Sequence, residues 1–191
     1  MKRNPDPGCE VELTMTSNVP YRREIGRLAR GYKPSRSLAK RLASDAVVSG
    51  SAASVASAAA LMACSKLHEG SAAGGLNGPS QWLWGESEAY TREATLRHTL
   101  AGYAIHHATS IFWGVLHEAV FGGSRRSKPP LQHCAEAAAS ATTAYFVDYH
   151  LTPRRLRPGF EKHVSGKGMV AVYAAFAAGL AMVAIARDRG R

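Results

Sequence analysis

GYAIHHATSIFWGVLHE, residues 102–118, has the length and apolar content of a membrane span, yet it carries three histidines and a glutamate. At about 100° per residue on a helix, His106, Ser110, Trp113 and His117 share one face, and His107, Gly114 and Glu118 share the next. Leu100, Ala104, Ile111 and Val115 lie opposite. The stretch therefore predicts a helix with a polar flank turned to protein and an apolar flank that can meet lipid. Polar groups within a span are costly unless other helices bury them, so they are the first candidates for function.

Working outward, three more apolar blocks surround this one. AVVSGSAASVASAAALMACS (46–65) has no charge and is long enough, at ~1.5 Å per residue, to cross a hydrocarbon core of about 30 Å. Within it Gly50, Ser54 and Ala58 follow small-xxx-small spacing, as do Ser49, Ala53 and Ser57, so two faces allow neighbouring helices to come close. The blocks at 99–121, 131–151 and 168–186 complete a set of four predicted spans. The last is uncharged from Gly168 to Ala186. Alanine and glycine dominate the blocks, and the alternation of β-branched and aromatic residues that marks strands is missing. The fold class expected is all-α: an integral membrane four-helix bundle over 45–188, preceded by a basic, partly disordered cytoplasmic arm over 1–44.

A soluble bundle is the competing reading, and the mean hydropathy of −0.17 favours it at first sight. That average is diluted by the polar arm and connectors. A soluble bundle also needs a charged outer stripe on each helix, and the fourth block has none.

The net charge of +10 over 191 residues permits nucleic-acid binding. The lysines and arginines, however, gather at the ends of the apolar blocks and in the arm, without interleaved aromatics or a recognition motif. Anionic lipid headgroups account for that placement, and nucleic acid is not expected as a partner. Counted between the spans, 16 Lys and Arg fall on the side of the termini and 8 on the other. Both termini are therefore expected in the cytoplasm, in a bacterial inner membrane. YRREIGRLARGY in the arm places Tyr21, Ile25 and Leu28 on one face and arginines around the other, suiting a helix lying on an acidic membrane surface.

The start, MKRNPDPGCEVELT, has no apolar run behind its charges and is not a cleavable signal. Leu61-Met62-Ala63-Cys64 resembles a lipoprotein cleavage box, but it follows too long an arm and precedes three further apolar blocks. Cys9, Cys64 and Cys134 lie far apart and form no CxxC pair, which supports neither a disulfide framework nor a zinc knuckle.

Alternating spans bring His117 and Glu118 toward His133 and Glu136 at the cytoplasmic end. At the outer end the same alternation brings His98 toward Asp148 and His150, with His68, Glu69 and His163 at that level. Imidazole with carboxylate is a ligand set for zinc, iron or manganese, and histidines across helices hold haem. These seven residues are the candidate metal ligands: His98, Asp148, His150, His117, Glu118, His133 and Glu136. No HExxH or ExxH occurs, and His106 and His117 are about 16 Å apart along a helix axis and cannot share one ion. Histidines bonded to backbone or to other helices are the alternative.

Two loops carry further signals. In NGPSQWLWGESEAY (77–90), Trp82 and Trp84 suit interface anchoring, and Asn77-Gly78-Pro79 forms a turn leading to an interfacial or re-entrant segment. In DYHLTPRRLRPGFEKH (148–163), Arg154, Arg155 and Arg157 stand between prolines and suit lipid headgroups or another anion. No phosphate-binding glycine loop or nucleophile motif appears.

NGPSQWLWG (77–85), GYAIHHATSIFWG (102–114) and DYHLTPRRLRPGFE (148–161) resemble stretches of a group of small bacterial inner-membrane proteins with four spans and no assigned activity. The resemblance covers residue 45 to the C-terminus and implies a membrane location without a catalytic residue. The function expected is non-enzymatic: binding or scaffolding, toward lipid, a second copy or another membrane protein. A metal- or haem-binding role in transport or redox chemistry is the alternative.

Overall fold

The computed structural model describes residues 36–123 and 127–190. The arm helix expected around Tyr21, Ile25 and Leu28 lies outside the described residues. Among those residues the chain is helical throughout, with no strand.

Helix α1, Arg36–Glu69, has 34 residues. Residues 36–44, expected in the arm, belong to it, because SLAKRLAS is built of helix formers and no proline follows Pro34 until the helix is complete. The helix stops at Gly70, whose φ of +82° is the left-handed conformation of a C′ glycine. Ser71 then caps α2, Ala72–Asn77, by accepting from the Gly74 N–H. A 3₁₀ turn, Gly78–Ser80, leads into the single turn α3, Gln81–Trp84.

Helix α4, Ala101–His117, continues a π-helical turn over Leu96–Leu100 and runs into another over Glu118–Gly122. Helix α5, Pro130–Phe146, begins with proline where the missing N–H costs nothing, and extends through the π turn Val147–Leu151. Helix α6, Gly166–Arg189, has 24 residues and is capped by Ser165.

Contacts at the helix ends fix the directions. Arg187 near the end of α6 meets Asp45 near the start of α1 at 3.3 Å, and Glu69 at the end of α1 meets His163 just before α6 at 2.6 Å. The two helices are therefore antiparallel. His133, at the start of α5, bonds Asp188 at the end of α6 at 2.8 Å. Helix α1 packs along both α4 and α6, α5 leans on α6, and α4 and α5 barely touch.

The small-residue faces of α1 are what bring it close to two neighbours. A Cβ on Gly50 would stand 2.6 Å from the Ile111 Cα of α4, and one on Gly114 would stand 2.7 Å from the Ala46 carbonyl. On the other face Gly179 of α6 lies against the backbone of Ala53. Ile111, expected on the lipid side, is only half-buried because its backbone forms this crossing.

Two helices, over 39–69 and 166–189, are long and apolar enough to cross a membrane by length and composition. In their most apolar windows 39% and 33% of residues are buried, and the others are half-buried or exposed. The second and third expected spans fall short of that standard, since α4 and α5 have 17 α-helical residues each and are interrupted by the π turns at their ends.

The interior mixes apolar clusters with many polar side chains, and large apolar side chains are common on the surface. Ser49, Ser54, Ser57, Ser65, Asn77, Gln81, His106, His117 and Glu118 are buried, while Val47, Val55, Phe112, Val120, Phe146, Val170 and Met182 are exposed. Apart from polar groups, the buried residues divide evenly between alanine and larger side chains such as Leu61, Phe160, Phe176 and Leu180.

Candidate functional site: a pocket between two helices, closed by polar layers

Because α4 and α5 each lean on a different helix of the central pair, a gap remains between them. It forms a cavity of about 340 Å³ walled by α4, α5 and α6, with α1 contributing Ser57 at its back. Its roof is the segment that the sequence marks as a turn: Pro79 and Trp82 from the α2–α3 cap, with Leu156, Pro158 and Phe160 from the basic loop. Phe112 and Leu156 line the cavity and are also exposed, which places the mouth in the α4–α5 gap.

The polar groups of the cavity run from the roof down the inner side of α4, where Thr109 and Ser110 also line it. On α4, His106 is buried, and its Nε2 meets the Ser57 hydroxyl at 3.0 Å. Ser57 Oγ itself donates to the Ala53 carbonyl at 2.7 Å, so its lone pairs receive the imidazole N–H. On the next α4 position, His107 Nδ1 meets Ser54 Oγ at 3.0 Å. The edge of His106 packs on Phe160, with ring centres 5.6 Å apart. Asp148, on the π turn after α5, accepts a hydrogen bond of 2.7 Å from the Tyr173 hydroxyl of α6. Phe112, Trp113, Ala144 and Phe176, further from the roof along their helices, make the other half apolar. Along α4, His106 and Trp113 are about 10 Å apart, so the cavity is amphipathic along its length.

The roof is pinned by backbone-directed bonds. Asn77 donates to the carbonyls of Thr91 and Glu93 and accepts from Thr99 Oγ1 at 2.8 Å. Gln81 and Trp82 both donate to the Arg157 carbonyl, and Lys162 donates to Gln81 Oε1 at 2.9 Å. Gly78 and Gly159 meet backbone to backbone, and a Cβ on Gly78 would stand 2.9 Å from the Gly159 carbonyl. Segment 74–81 is thus buried as a cap on the bundle rather than lying as a surface loop.

Beside the roof, Glu69 holds together three segments. Its carboxylate takes His163 Nδ1 at 2.6 Å and Arg92 Nε at 2.8 Å, and Ser65 Oγ donates to it at 3.2 Å. His163 Nε2–H donates to the Ala89 carbonyl, so both ring nitrogens are occupied.

The far end of the bundle carries a second polar layer. His117, Glu118, His133 and Glu136 surround one small cavity of about 30 Å³ together with Lys128, Arg187 and Asp188. Their bonds tie four segments: Arg187 pairs with Glu118 and Asp45, Lys128 with Glu136 at 2.8 Å, His133 with Asp188 at 2.8 Å, and His117 with Ser140 Oγ at 2.8 Å. Arg187 and Lys128 serve Glu118, Asp45 and Glu136, and His133 bonds Asp188, so the layer is a clasp of ion pairs and hydrogen bonds.

The candidate ligands at the other end disperse. His98 bonds Thr95 Oγ1 at 3.0 Å and Glu88 at 2.8 Å, Asp148 turns to Tyr173, and His150 lies exposed with its ring stacked on Phe146 at 4.9 Å. Asp148 and His150 are two positions apart on a helical turn, so their side chains point to opposite sides. Among the described residues no three His, Cys, Asp or Glu side chains are placed to hold a metal ion. Arg154 and Arg155 are exposed; Arg157 is half-buried, with its Nε on the Thr152 carbonyl. Trp82 is tucked under the roof, while Trp84 is exposed and carries Arg97 4.7 Å above its ring.

Sequence reasoning passed over Tyr173, Gln81, Lys128 and Arg187. Tyr173, Lys128 and Arg187 share a signal, a hydrogen-bonding group within or just beside an apolar block that needs a partner on another helix, while Gln81 stands in a stretch that reads as a loop and carries none. No protein-family model, no curated protein and no solved structure matches this chain.

Proposed function

We propose that the chain is a bacterial inner-membrane protein of four crossings that binds a small apolar molecule entering from the bilayer between α4 and α5. The observation that carries this reading is the distribution of polarity: serines, histidines and Glu118 are buried beside the apolar core, while many valines, phenylalanines and leucines are exposed. In water such a surface would aggregate, whereas in hydrocarbon it is the stable arrangement. The cavity suits a ligand in size, since small-molecule sites start at about 300 Å³. Its mouth, flanked by Phe112 and Leu156, then opens on lipid rather than on water.

In this reading both termini are cytoplasmic, on the side of the Glu118–Arg187 clasp, and Arg154 and Arg155 meet anionic headgroups on the opposite face. The role is binding: the polar side chains near the roof hold one another in place and give a ligand its orientation.

Two experiments test it in order. Membranes washed in alkaline carbonate should retain the full-length chain, and its release into the supernatant would end the membrane reading. A photoreactive alkyl probe dissolved in the bilayer should then label Phe112, Trp113 or Val147, with labelling suppressed by Ala144→Phe, which fills the cavity. Labelling spread evenly over exposed positions such as Val55 and Val170 would mean that the gap between α4 and α5 is ordinary lipid-facing surface.

A further inference from the structure

Resting on the pocket reading above, we infer that Asp148 selects the head group of the ligand: an amphiphile whose head donates a hydrogen bond and carries no negative charge, such as a primary alcohol.

Of the polar groups that line the cavity, Thr109 and Thr152 give their hydroxyl protons to the Ile105 and Val147 carbonyls of their own turns, and Ser110 adds a neutral hydroxyl deeper along α4. Ser57 and His106 are turned to each other, and the Ser57 hydroxyl proton goes to the Ala53 carbonyl. Tyr173 gives its only proton to Asp148. Asp148 is different. It lines the cavity, Tyr173 meets its Oδ2 at 2.7 Å, and among the described residues no other side chain or backbone donor reaches it. A carboxylate offers about four acceptor positions over its two oxygens, so one donor leaves acceptor capacity directed at the cavity. No lysine or arginine lines the cavity to offset the charge.

An acceptor in a small apolar space discriminates sharply between heads. A ligand hydroxyl there forms a hydrogen bond to an ionised group, which is stronger than one between neutral partners. A ligand carboxylate meets a like charge at short range in a medium of low dielectric, and a methyl ester leaves the acceptor unmatched. The site also fixes the ligand's direction. Asp148 stands near the roof beside Thr152, and the Phe112–Trp113–Phe176 surface stands further in, so the head lies under the roof and the chain runs toward the clasp.

Fluorescence provides the test, since of the three tryptophans Trp82 and Trp113 line the cavity and Trp84 does not. Full-length protein in nanodiscs is titrated with three chain-brominated ten-carbon probes that differ only in the head: alcohol, carboxylic acid and methyl ester. The expected result is saturable quenching by the alcohol with a Kd at least roughly tenfold below those of the acid and the ester. Asp148→Asn should bring the acid to within about threefold of the alcohol, because the like charge is gone. The series on the unsubstituted protein decides the matter even if that variant does not fold.

Equal affinities for all three heads, or a preference for the acid, would overturn the inference about Asp148 and leave the pocket standing. Quenching that rises linearly with every probe and is unchanged by Ala144→Phe would overturn the pocket itself, and the inference with it.

Discussion

At the level of single residues, the structural weight rests on buried polar groups that have found partners far away in the chain. His163 is 1% exposed and pairs with Glu69, 94 positions earlier, while its other nitrogen serves the Ala89 carbonyl. His163→Ala would leave a buried carboxylate short of one donor and a buried carbonyl with none. The expected loss is on the order of 3 kcal/mol, read as a lower melting temperature in detergent. His163→Gln, which can still donate, should recover part of it, and His68→Ala, at an exposed position, should change stability by less than about 0.5 kcal/mol. Equal effects at positions 68 and 163 would refute the assignment. The sequence makes both histidines equally conspicuous, and only the geometry of the loop before α6 tells them apart. Likewise His117, Glu118, His133 and Glu136 can be grouped from alternating spans, because each is tied to a helix end. Asp148 and His150 cannot, since alternating spans fix only their level, and two positions along a helical turn point to opposite sides.

At the level of elements, α1 is the axis of the protein, and its smooth faces are legible in the spacing of Gly50, Ser54 and Ala58 and of Ser49, Ala53 and Ser57. Gly50 and Ser54 of the first set meet α4, through Gly114 and His107, while the second set is shared: Ser57 bonds His106 of α4 and Ala53 lies against Gly179 of α6. Gly50→Val forces a branched side chain against the Ile111 backbone, which has no rotamer by which to move aside. The α1–α4 pair must then separate at a cost of about 1 to 3 kcal/mol or more. Gly166→Ala is the matched control, because nothing lies within 4 Å of a Cβ there. Thermal unfolding in detergent should rank the two variants clearly, and a Gly50→Val protein as stable as the control would mean that the helices do not cross at that point. What the sequence could not supply is the roof. Residues 74–81 have too little apolar length for a span and enough glycine and proline for a loop, yet Asn77 and Gln81 satisfy five neighbouring groups and keep the segment buried.

For the molecule as a whole, the proposed membrane reading carries a definite expectation for orientation, and two independent features bear on it. The ends of α1 and α6 that carry Asp45 and Arg187 lie together, and those that carry Glu69 and His163 lie together at the other end. A bundle built this way has two polar ends and an apolar waist, so it has only two orientations to choose between. The basic residues make the choice: 16 belong to the side of the termini and 8 to the other. A reporter fused after Arg191 is therefore expected to read as cytoplasmic, and one inserted at Glu86 in the loop after Trp84 as periplasmic. The same reasoning predicts what moves the equilibrium. Replacing Lys2, Arg3, Arg22, Arg23, Arg27 and Arg30 with glutamine leaves 10 basic residues facing 8, which should produce a mixed population in which each reporter gives both signals. Identical signals from the two fusions of the unaltered chain would mean an odd number of crossings or one helix that enters and leaves on the same side. The α4–α5 pair would be the place to look, since its two helices are the shorter ones and each is held by a different member of the central pair.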